Sequence, residues 1–194
     1  MSSHHFVKEG QEPALFILDN IPFHHAESLL EWVPLVMVAD RALENVLHWG
    51  IKIDIVLQGE YPIEVLENLV QDQGPLQTLL SDKDRIVRTG LQYLIQNGYD
   101  AVILLSIPRE EIFQEVEKSA NKLQVGIYNE QEKWSLISTG KFEKWMPGEA
   151  TLLIRSASRV QTNGITQKGQ FWETLGPGIV TIESDSGFWI GESS

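Results

Sequence analysis

The stretch Val36–Glu60, with the sequence VMVADRALENVLHWGIKIDIVLQGE, decides the fold of this chain. It begins with a short apolar run that ends at an acidic residue, Asp40, and continues through a helical pattern into a second apolar run. That second run is followed by Gly59 and a second acidic residue, Glu60. Open parallel sheets bind their ligands beyond the carboxyl ends of their strands, so these three residues are expected to converge on one functional site.

The same alternation of apolar runs and helical patterns extends over the first two thirds of the chain. Helical patterns at residues 26–32, 41–49, 63–72 and 86–96 are separated by the apolar runs, and the last pattern stops at Asn97-Gly98, as a helix C-terminus does. The repeated βα units predict an α/β domain over residues 13–122, with a mostly parallel sheet flanked by helices. The apolar runs are short and almost uninterrupted by polar residues, as expected of strands buried on both faces. The predicted strands are residues 14–18, 35–38, 53–57, 76–80 and 101–105.

The pattern changes near residue 122. Turn-forming pairs such as Asn-Gly and Pro-Gly then separate six short strand candidates, and four of the six tryptophans fall in this part of the chain. Residues 123–194 are therefore predicted to form a small antiparallel β domain, and residues 1–12, with His4 and His5, a flexible tail. The strand candidates are residues 123–128, 133–138, 151–155, 169–172, 179–184 and 188–190.

Composition and charge narrow the classes of function. The 15 basic and 27 acidic residues give a net charge of −12, which repels a phosphate backbone and argues against nucleic acid as the main partner. A nucleotide remains compatible with this charge, because bound Mg²⁺ screens carboxylates from phosphates. The chain has no cysteine, no apolar run near the roughly 20 residues of a membrane span, and no secretory pattern at its start. These features predict a cytoplasmic protein with no membrane partner.

The order of these motifs resembles the thiamine pyrophosphokinase family. The family segment runs Ala-Asp-Gly-Gly-Ala-Asn, a helix ending in glycine, Pro-Asp, and Gly-Asp-Phe-Asp-Ser, and this chain keeps Ala39-Asp40, Gly50, Asp54 and Gly59. The resemblance implies a nucleotide-binding-like α/β domain followed by a thiamine-binding-like β-sandwich, assembled as a homodimer. It also implies transfer of pyrophosphate from ATP to thiamine, with Mg²⁺ and ATP bound at carboxylates.

The family's first acidic loop is matched by Gly59-Glu60-Tyr61-Pro62. Gly59 is expected to contact the cofactor, and Glu60 takes the place of the first aspartate, whereas Pro62 stands where the second aspartate belongs. The resemblance implies that Asp40 and Glu60 hold Mg²⁺ and act in catalysis. Two structural alternatives remain open, since Asp40 would also serve as the N-cap of the next helix and Glu60 as a solvated loop residue.

The family's later motifs are weaker in this sequence. Arg85-Ile86 stands where a Thr-Asp pair belongs, and the nearby Asp82 and Asp84 are the candidate catalytic replacements, or simply favourable charges in a first helical turn. Arg109 is the remnant of the Gly-Gly-Arg-x-Asp-His motif, either meeting phosphate or lying on the surface. Trp172 is either a platform for thiamine or part of the β core.

The lost motifs predict a divergent member of the family in which transfer is reduced or lost. The alternative is a non-catalytic small-molecule-binding or interaction protein on the same dimeric scaffold. A third hypothesis is an enzyme acting on another phosphorylated small molecule. The number of carboxylates that converge at the strand ends is the feature that separates an enzyme from a binding protein.

Overall fold

The computed structural model describes residues 12–193. The chain divides into two compact units, and the boundary in the sequence lies between Gln124 and Val125. The predicted flexible tail, residues 1–12, lies outside the described residues except for Glu12. None of the helices in residues 12–193 is both long and apolar enough to cross a membrane.

The first unit is built on a sheet of five parallel strands. Every strand except β4 is mostly buried, as their apolar sequences require. Met37 of β2 pairs in parallel with Ile55 of β3, which confirms the predicted direction of these strands. The strand order β5-β1-β2-β3-β4 places β1 between β2 and β5. The strands are β1 (Ala14–Ile17), β2 (Val36–Ala39), β3 (Ile55–Gln58), β4 (Gln77–Leu80) and β5 (Ala101–Leu105).

Within residues 12–124, five α-helices accompany this sheet, and four of them were predicted. The predicted span of α4 is correct at both ends, whereas the segment Glu110–Glu117 was not predicted to be helical. Two features of the sequence could have indicated this helix. Ile112, Phe113 and Val116, which are buried, have helical spacing, and two glutamates lie in the first turn. The helices are α1 (His24–Leu30), α2 (Asp40–Leu47), α3 (Ile63–Val70), α4 (Ile86–Gln96) and α5 (Glu110–Glu117).

Helix α4 packs closely on the sheet because it carries a glycine at the contact. A Cβ placed on Gly90 would lie 2.3 Å from Cε1 of Phe16, whose side chain is fully buried in β1. Protein interiors are packed too densely to absorb such an overlap without displacement. Gly90 therefore fixes the height of α4 above the strand, and with it the position of the loop that precedes the helix.

The second unit is all β, and every strand pair within it is antiparallel. Its strands form the orders β11-β12-β9-β14-β7-β6 and β10-β13-β8. The strands are β6 (Gln124–Tyr128), β7 (Glu132–Ile137), β8 (Lys141–Met146), β9 (Thr151–Arg155), β10 (Val160–Asn163), β11 (Ile165–Lys168), β12 (Phe171–Thr174), β13 (Gly178–Ser184) and β14 (Phe188–Ser193).

The core of the second unit joins its two sets of strands. Buried side chains from β8 and β13 pack with side chains from β9, β11 and β14 in one cluster. The predicted fold class, an α/β unit followed by a small antiparallel β unit, is confirmed. Strands β8, β10 and β11 were missed, and the strand predicted at residues 169–172 is Phe171–Thr174 instead, because Gly169 with φ of 65° belongs to the preceding turn.

Candidate functional site

The polar residues at the carboxyl ends of the five parallel strands form what we call the strand-end site. They come from the segments that follow the strands: Asp19, Asp40–Arg41, Gly59–Tyr61, Ser81–Arg85 and Ser106–Arg109. The strand order reverses at β1, since β2 to β4 extend to one side and β5 lies on the other. Such a reversal is where open α/β sheets bind ligands.

Asp40 binds backbone rather than solvent. It is the first residue of α2, and its fully buried carboxylate accepts four N–H groups. Oδ1 accepts the N–H of Arg41 at 2.9 Å, and Oδ2 accepts those of Gly59, Glu60 and Tyr61 at 2.8, 2.6 and 2.8 Å. Ala39, not Asp40, is the N-cap residue. The carboxylate thus anchors the β3–α3 loop to the start of α2.

Gly59 is a point of close approach between two loops. A Cβ at this position would lie 2.5 Å from Cδ1 and 2.8 Å from Cγ1 of the buried Ile86, and 3.3 Å from Cα of Lys83. The missing side chain lets the β3–α3 loop lie directly against the start of α4. In this structure, Gly59 therefore brings Glu60 and Lys83 together.

The Glu60 carboxylate faces cations. Its Oε1 lies 3.8 Å from Nη1 of Arg41, and its Oε2 lies 3.5 Å from Nζ of Lys83. About a quarter of the side chain is exposed, so it is neither a freely solvated loop residue nor buried. Asp40 and Glu60 are adjacent in the structure, as the sequence predicted, but Glu60 directs its charge to basic side chains.

Tyr61 completes this loop. Its hydroxyl donates to Oε1 of Glu44 at 3.1 Å, and that hydrogen bond is the main cause of a raised pKa of the Tyr61 phenol. Partial burial and the nearby carboxylates of Glu44, Asp40 and Glu60 raise the pKa further. The phenol is therefore a proton donor throughout the neutral range.

Asp19 belongs to the site, although the sequence analysis missed it. It follows β1, and its buried carboxylate accepts hydrogen bonds from Oγ of Ser106 at 2.6 Å and from the N–H of Ile107 at 3.0 Å. The same carboxylate pairs with Arg41 and Arg109. An acidic residue directly after a buried strand was the signal that identified Asp40, and it applies equally to Asp19.

Arg109 lies at the surface with 39% of its side chain exposed, and it pairs there with Asp19. Its Nη2 lies 3.1 and 3.0 Å from the two carboxylate oxygens of Asp19. It is the N-cap residue of α5, so the helix start fixes where its side chain leaves the backbone. This side chain lies on the β5 side of the sheet reversal.

Asp82 and Asp84 belong to the segment of the strand-end site that precedes α4. Asp82 is exposed and lies 3.4 Å from Arg85, and Asp84 is part of a 3₁₀ turn, Lys83–Arg85. Neither makes a side-chain capping bond to that turn. Asp82 also lines an open polar groove of about 540 Å³, together with Leu80, Ser81, Arg85, Arg88, Thr89 and Gln92.

Trp172 lies in the second unit, on β12. It is partly buried and packs against the core cluster of that unit, with Gln167 and Leu152 as its strand partners. This placement agrees with the interpretation of Trp172 as a core residue. Its partial exposure also leaves part of the ring accessible.

The carboxylates of the strand-end site do not fit a Mg²⁺ site of the kind that the family resemblance implies. Magnesium requires oxygen ligands with free lone pairs in near-octahedral geometry. Asp40 Oδ2 already accepts three N–H groups, and both oxygens of Glu60 face cations. Within residues 12–193, no group of three His, Cys, Asp or Glu residues is placed to hold a metal ion.

The fold and the site define an α/β protein with its polar site at the strand ends, joined to a small β unit. No protein-family model matches the sequence, and no curated protein matches it. Solved structures do match, and they show that the chain has the fold of the thiamine pyrophosphokinases.

Three of these structures illustrate the likeness. Thiamine pyrophosphokinase from Bacillus subtilis matches with a TM-score of 0.67 at 12% identity, over 93% of this chain and 98% of that chain. The enzyme from Geobacillus thermodenitrificans gives 0.66 at 16% identity, over 93% and 97%. The enzyme from Candida albicans gives 0.65 at 12% identity, over 95% and 90%.

Proposed function

We propose that this protein is a divergent thiamine-pyrophosphokinase-like protein in which pyrophosphate transfer from ATP to thiamine is reduced or lost. Its strand-end site binds a small molecule but catalyses that transfer slowly or not at all. The observation that carries the proposal is the environment of Asp40, whose carboxylate is fully buried and accepts four backbone N–H groups.

The chemistry of phosphoryl transfer explains why this environment matters. Transfer between ATP and a hydroxyl depends on Mg²⁺ and fixed charges to neutralise the developing negative charge. If Asp40 bound Mg²⁺ through Oδ2, the N–H groups of Gly59, Glu60 and Tyr61 would lose their acceptor. Breaking these partly buried hydrogen bonds to a charged acceptor costs free energy, so the loop opposes metal binding through this oxygen.

The residues around Asp40 support the same proposal. Pro62 has no ligating side-chain atom, and by the family resemblance Arg85 and Ile86 stand where the Thr-Asp pair belongs. Each lost charge-stabilising group lowers the rate of such a reaction by roughly a hundredfold or more. Retained transfer would require Asp82 or Asp84 to supply the missing carboxylate together with Mg²⁺ and ATP.

The remaining parts of the proposal concern the scaffold. The first unit would act as the nucleotide-binding-like domain and the second as the thiamine-binding-like domain, with Trp172 contacting the acceptor. We also propose that the protein is a cytoplasmic homodimer. A non-catalytic small-molecule-binding or interaction protein on this dimeric scaffold is the alternative.

A coupled assay of AMP release tests the proposed loss of transfer. The full chain is incubated with thiamine, ATP and Mg²⁺, with the Bacillus subtilis enzyme as the positive control. We expect AMP release at least about ten-thousandfold below that control, because more than one charge-stabilising group is absent. Turnover within tenfold of the control would overturn the proposal. An Asp82→Asn variant would then show whether Asp82 supplies the missing carboxylate.

A further inference from the structure

We propose that Arg41 and Arg109, held side by side by Asp19, bind the phosphoryl group of a small-molecule ligand with no bridging metal ion. This inference rests on the proposed function, since it names the ligand class of the same strand-end site. The geometry of the three side chains carries the argument.

The two arginines share one carboxylate. Nε of Arg41 lies 3.3 Å from Oδ1 of Asp19, and Nη2 of Arg109 lies 3.1 Å from the same oxygen. Two cations bonded to one oxygen lie within two hydrogen-bond lengths of each other. Glu60 also faces Arg41, and it faces Lys83 as well, so three cations face the two carboxylates of Asp19 and Glu60. The group therefore retains one positive charge, which favours an anion.

The position of each guanidinium is fixed by its backbone surroundings. Nε of Arg41 also donates to the carbonyl oxygen of Leu18 at 2.6 Å. Asp19 is itself held by Ser106 and by the N–H of Ile107. A pre-organised pair of this kind loses little conformational freedom when a ligand binds.

The arginines retain donors for a ligand. Arg41 donates to Leu18 through Nε and faces Glu60 with Nη1, which leaves Nη2 as its donor for a ligand. Arg109 donates to Asp19 through Nη2, which leaves its Nε and Nη1 as donors for a ligand. Their side chains are 27% and 39% exposed, so they are accessible yet partly shielded from water. Charge-assisted hydrogen bonds are strongest in such partly desolvated positions.

The location of the pair supports ligand binding independently of its charge. Asp19 follows β1 and Arg109 follows β5, which are neighbouring strands on the two sides of the sheet reversal. This is where ligands bind in open α/β sheets. The pair therefore lies where the topology places a binding site.

A phosphoryl group fits this arrangement better than a carboxylate does. One planar carboxylate is satisfied by one guanidinium fork, whereas a tetrahedral phosphoryl group offers oxygens to several cations at once. Lys83 supplies a third cation, at 3.5 Å from the Glu60 carboxylate that it shares with Arg41. An incoming phosphoryl group would take the place of that carboxylate between Arg41 and Lys83.

Titration calorimetry of the full chain tests this inference. Inorganic pyrophosphate is the probe, in buffer containing EDTA, and malonate is the carboxylate comparison. We expect pyrophosphate to bind without a divalent metal and malonate to bind at least about tenfold more weakly. No binding of pyrophosphate in EDTA, or equal affinity for malonate, would overturn the inference.

Variants of Arg109 assign the binding to the arginine pair. Arg109→Gln should weaken pyrophosphate binding by about tenfold or more, since one charged hydrogen-bonding group is lost. Arg109→Lys should restore part of the affinity, because it keeps the charge but not the fork. The matched control is Arg159→Gln, which removes an exposed arginine of the second unit. Equal affinities for Arg109→Gln and the control would overturn the inference.

The two proposals fail in different experiments. AMP release within tenfold of the control enzyme would overturn the proposed reduction or loss of transfer, whatever the result of the pyrophosphate titration. Absence of AMP release together with pyrophosphate binding that requires Mg²⁺ would overturn only the metal-free arginine site. Arg109→Lys is expected to keep the ion pair with Asp19. If this variant unfolds at the wild-type temperature but binds pyrophosphate more weakly, the loss is one of binding and not of folding.

Discussion

The carboxylate of Asp40 accepts the backbone N–H of Glu60 at 2.6 Å. The two residues predicted to share a metal ion are therefore bonded to each other, through the side chain of one and the main chain of the other. The Glu60 side chain is left to face Arg41 and Lys83. A site that resembles a metal centre in sequence is, in three dimensions, an anchored loop beside a group of cations.

Replacing Asp40 tests its role as the anchor of the loop. Asp40→Asn keeps the size of the side chain but removes the charge, and its amide group can accept N–H groups at only one of its two terminal atoms. We expect a loss of about 3 kcal/mol in the free energy of unfolding, since hydrogen bonds to a buried charged acceptor are replaced and at least one backbone donor loses its acceptor. Urea denaturation measures this loss.

The control for this experiment is Asp82→Asn, because Asp82 is an exposed carboxylate of the same site. It should change the free energy of unfolding by less than about 0.5 kcal/mol. Similar small losses in both variants would show that Asp40 is not an anchor.

The Arg88–Glu115 pair, which links α4 to α5, gives stability that depends on pH. Partial burial opposes ionisation of Glu115, but Lys118 and Arg88 outweigh it, and the pKa of the Glu115 carboxyl is lowered. Because the pKa of Glu115 is lowered in the folded state, the contribution of its carboxylate to the free energy of unfolding is complete above the ordinary glutamate pKa. It is lost as the pH falls through the folded value.

Glu115→Gln should therefore be less stable than the wild type at pH 7, by less than about 1 kcal/mol because the pair is partly exposed to solvent. The difference should disappear in acid, below the folded pKa. Thermal unfolding over a pH series, with Glu67→Gln of α3 as the control, measures this. A stability difference that persisted unchanged in acid would contradict the assignment.

The second unit carries an exposed apolar pair that suits the proposed dimer. Trp145 of β8 and Ile179 of β13 are strand partners with 63% and 59% of their surface exposed. Exposed apolar patches of this kind commonly mark interfaces, and twofold symmetry would bury the pair twice. We expect the wild type to be a dimer, and Trp145→Ser to raise its dissociation constant about a hundredfold or more.

Multi-angle light scattering across a dilution series measures the change. Leu175→Ser is the matched control, since Leu175 is also exposed in the second unit but lies in a turn. A wild type that is monomeric at micromolar concentration would contradict the dimer. A dimer that Trp145→Ser leaves intact would contradict this interface.

Sequence periodicity was sufficient for most of the fold of the first unit. The bounds of α4 were predicted because its apolar spacing is regular and Asn97-Gly98 ends it. β8 was missed because Lys141, Glu143 and Lys144 interrupt its apolar residues, and strand pairing rather than local pattern determines such a strand.

The site was less predictable than the fold, for a physical reason. Sequence placed Asp40 and Glu60 together, but it gave no indication that Asp40 would bind amides 19 to 21 residues away. Those bonds depend on loop conformation, which residue type alone does not determine. Asp19 could have been found by the signal that identified Asp40, an acidic residue directly after a buried strand. Its ion pair with Arg109 would then have entered the site as well.

The affinity of Glu60→Gln for pyrophosphate tests most directly whether the cations of the site bind phosphoryl groups without a metal ion. Glu60 is either a competitor of the bound anion or a ligand of Mg²⁺, and these two roles predict opposite changes in affinity. If Glu60 competes with an anion for Arg41 and Lys83, its removal should tighten binding about two- to fivefold, with Mg²⁺ or with EDTA. Glu67→Gln controls for the loss of one negative charge. Titration calorimetry showing this gain is the predicted result. Unchanged affinity, or weaker binding in Mg²⁺, would contradict the claim, and the weakening would identify Glu60 as a metal ligand.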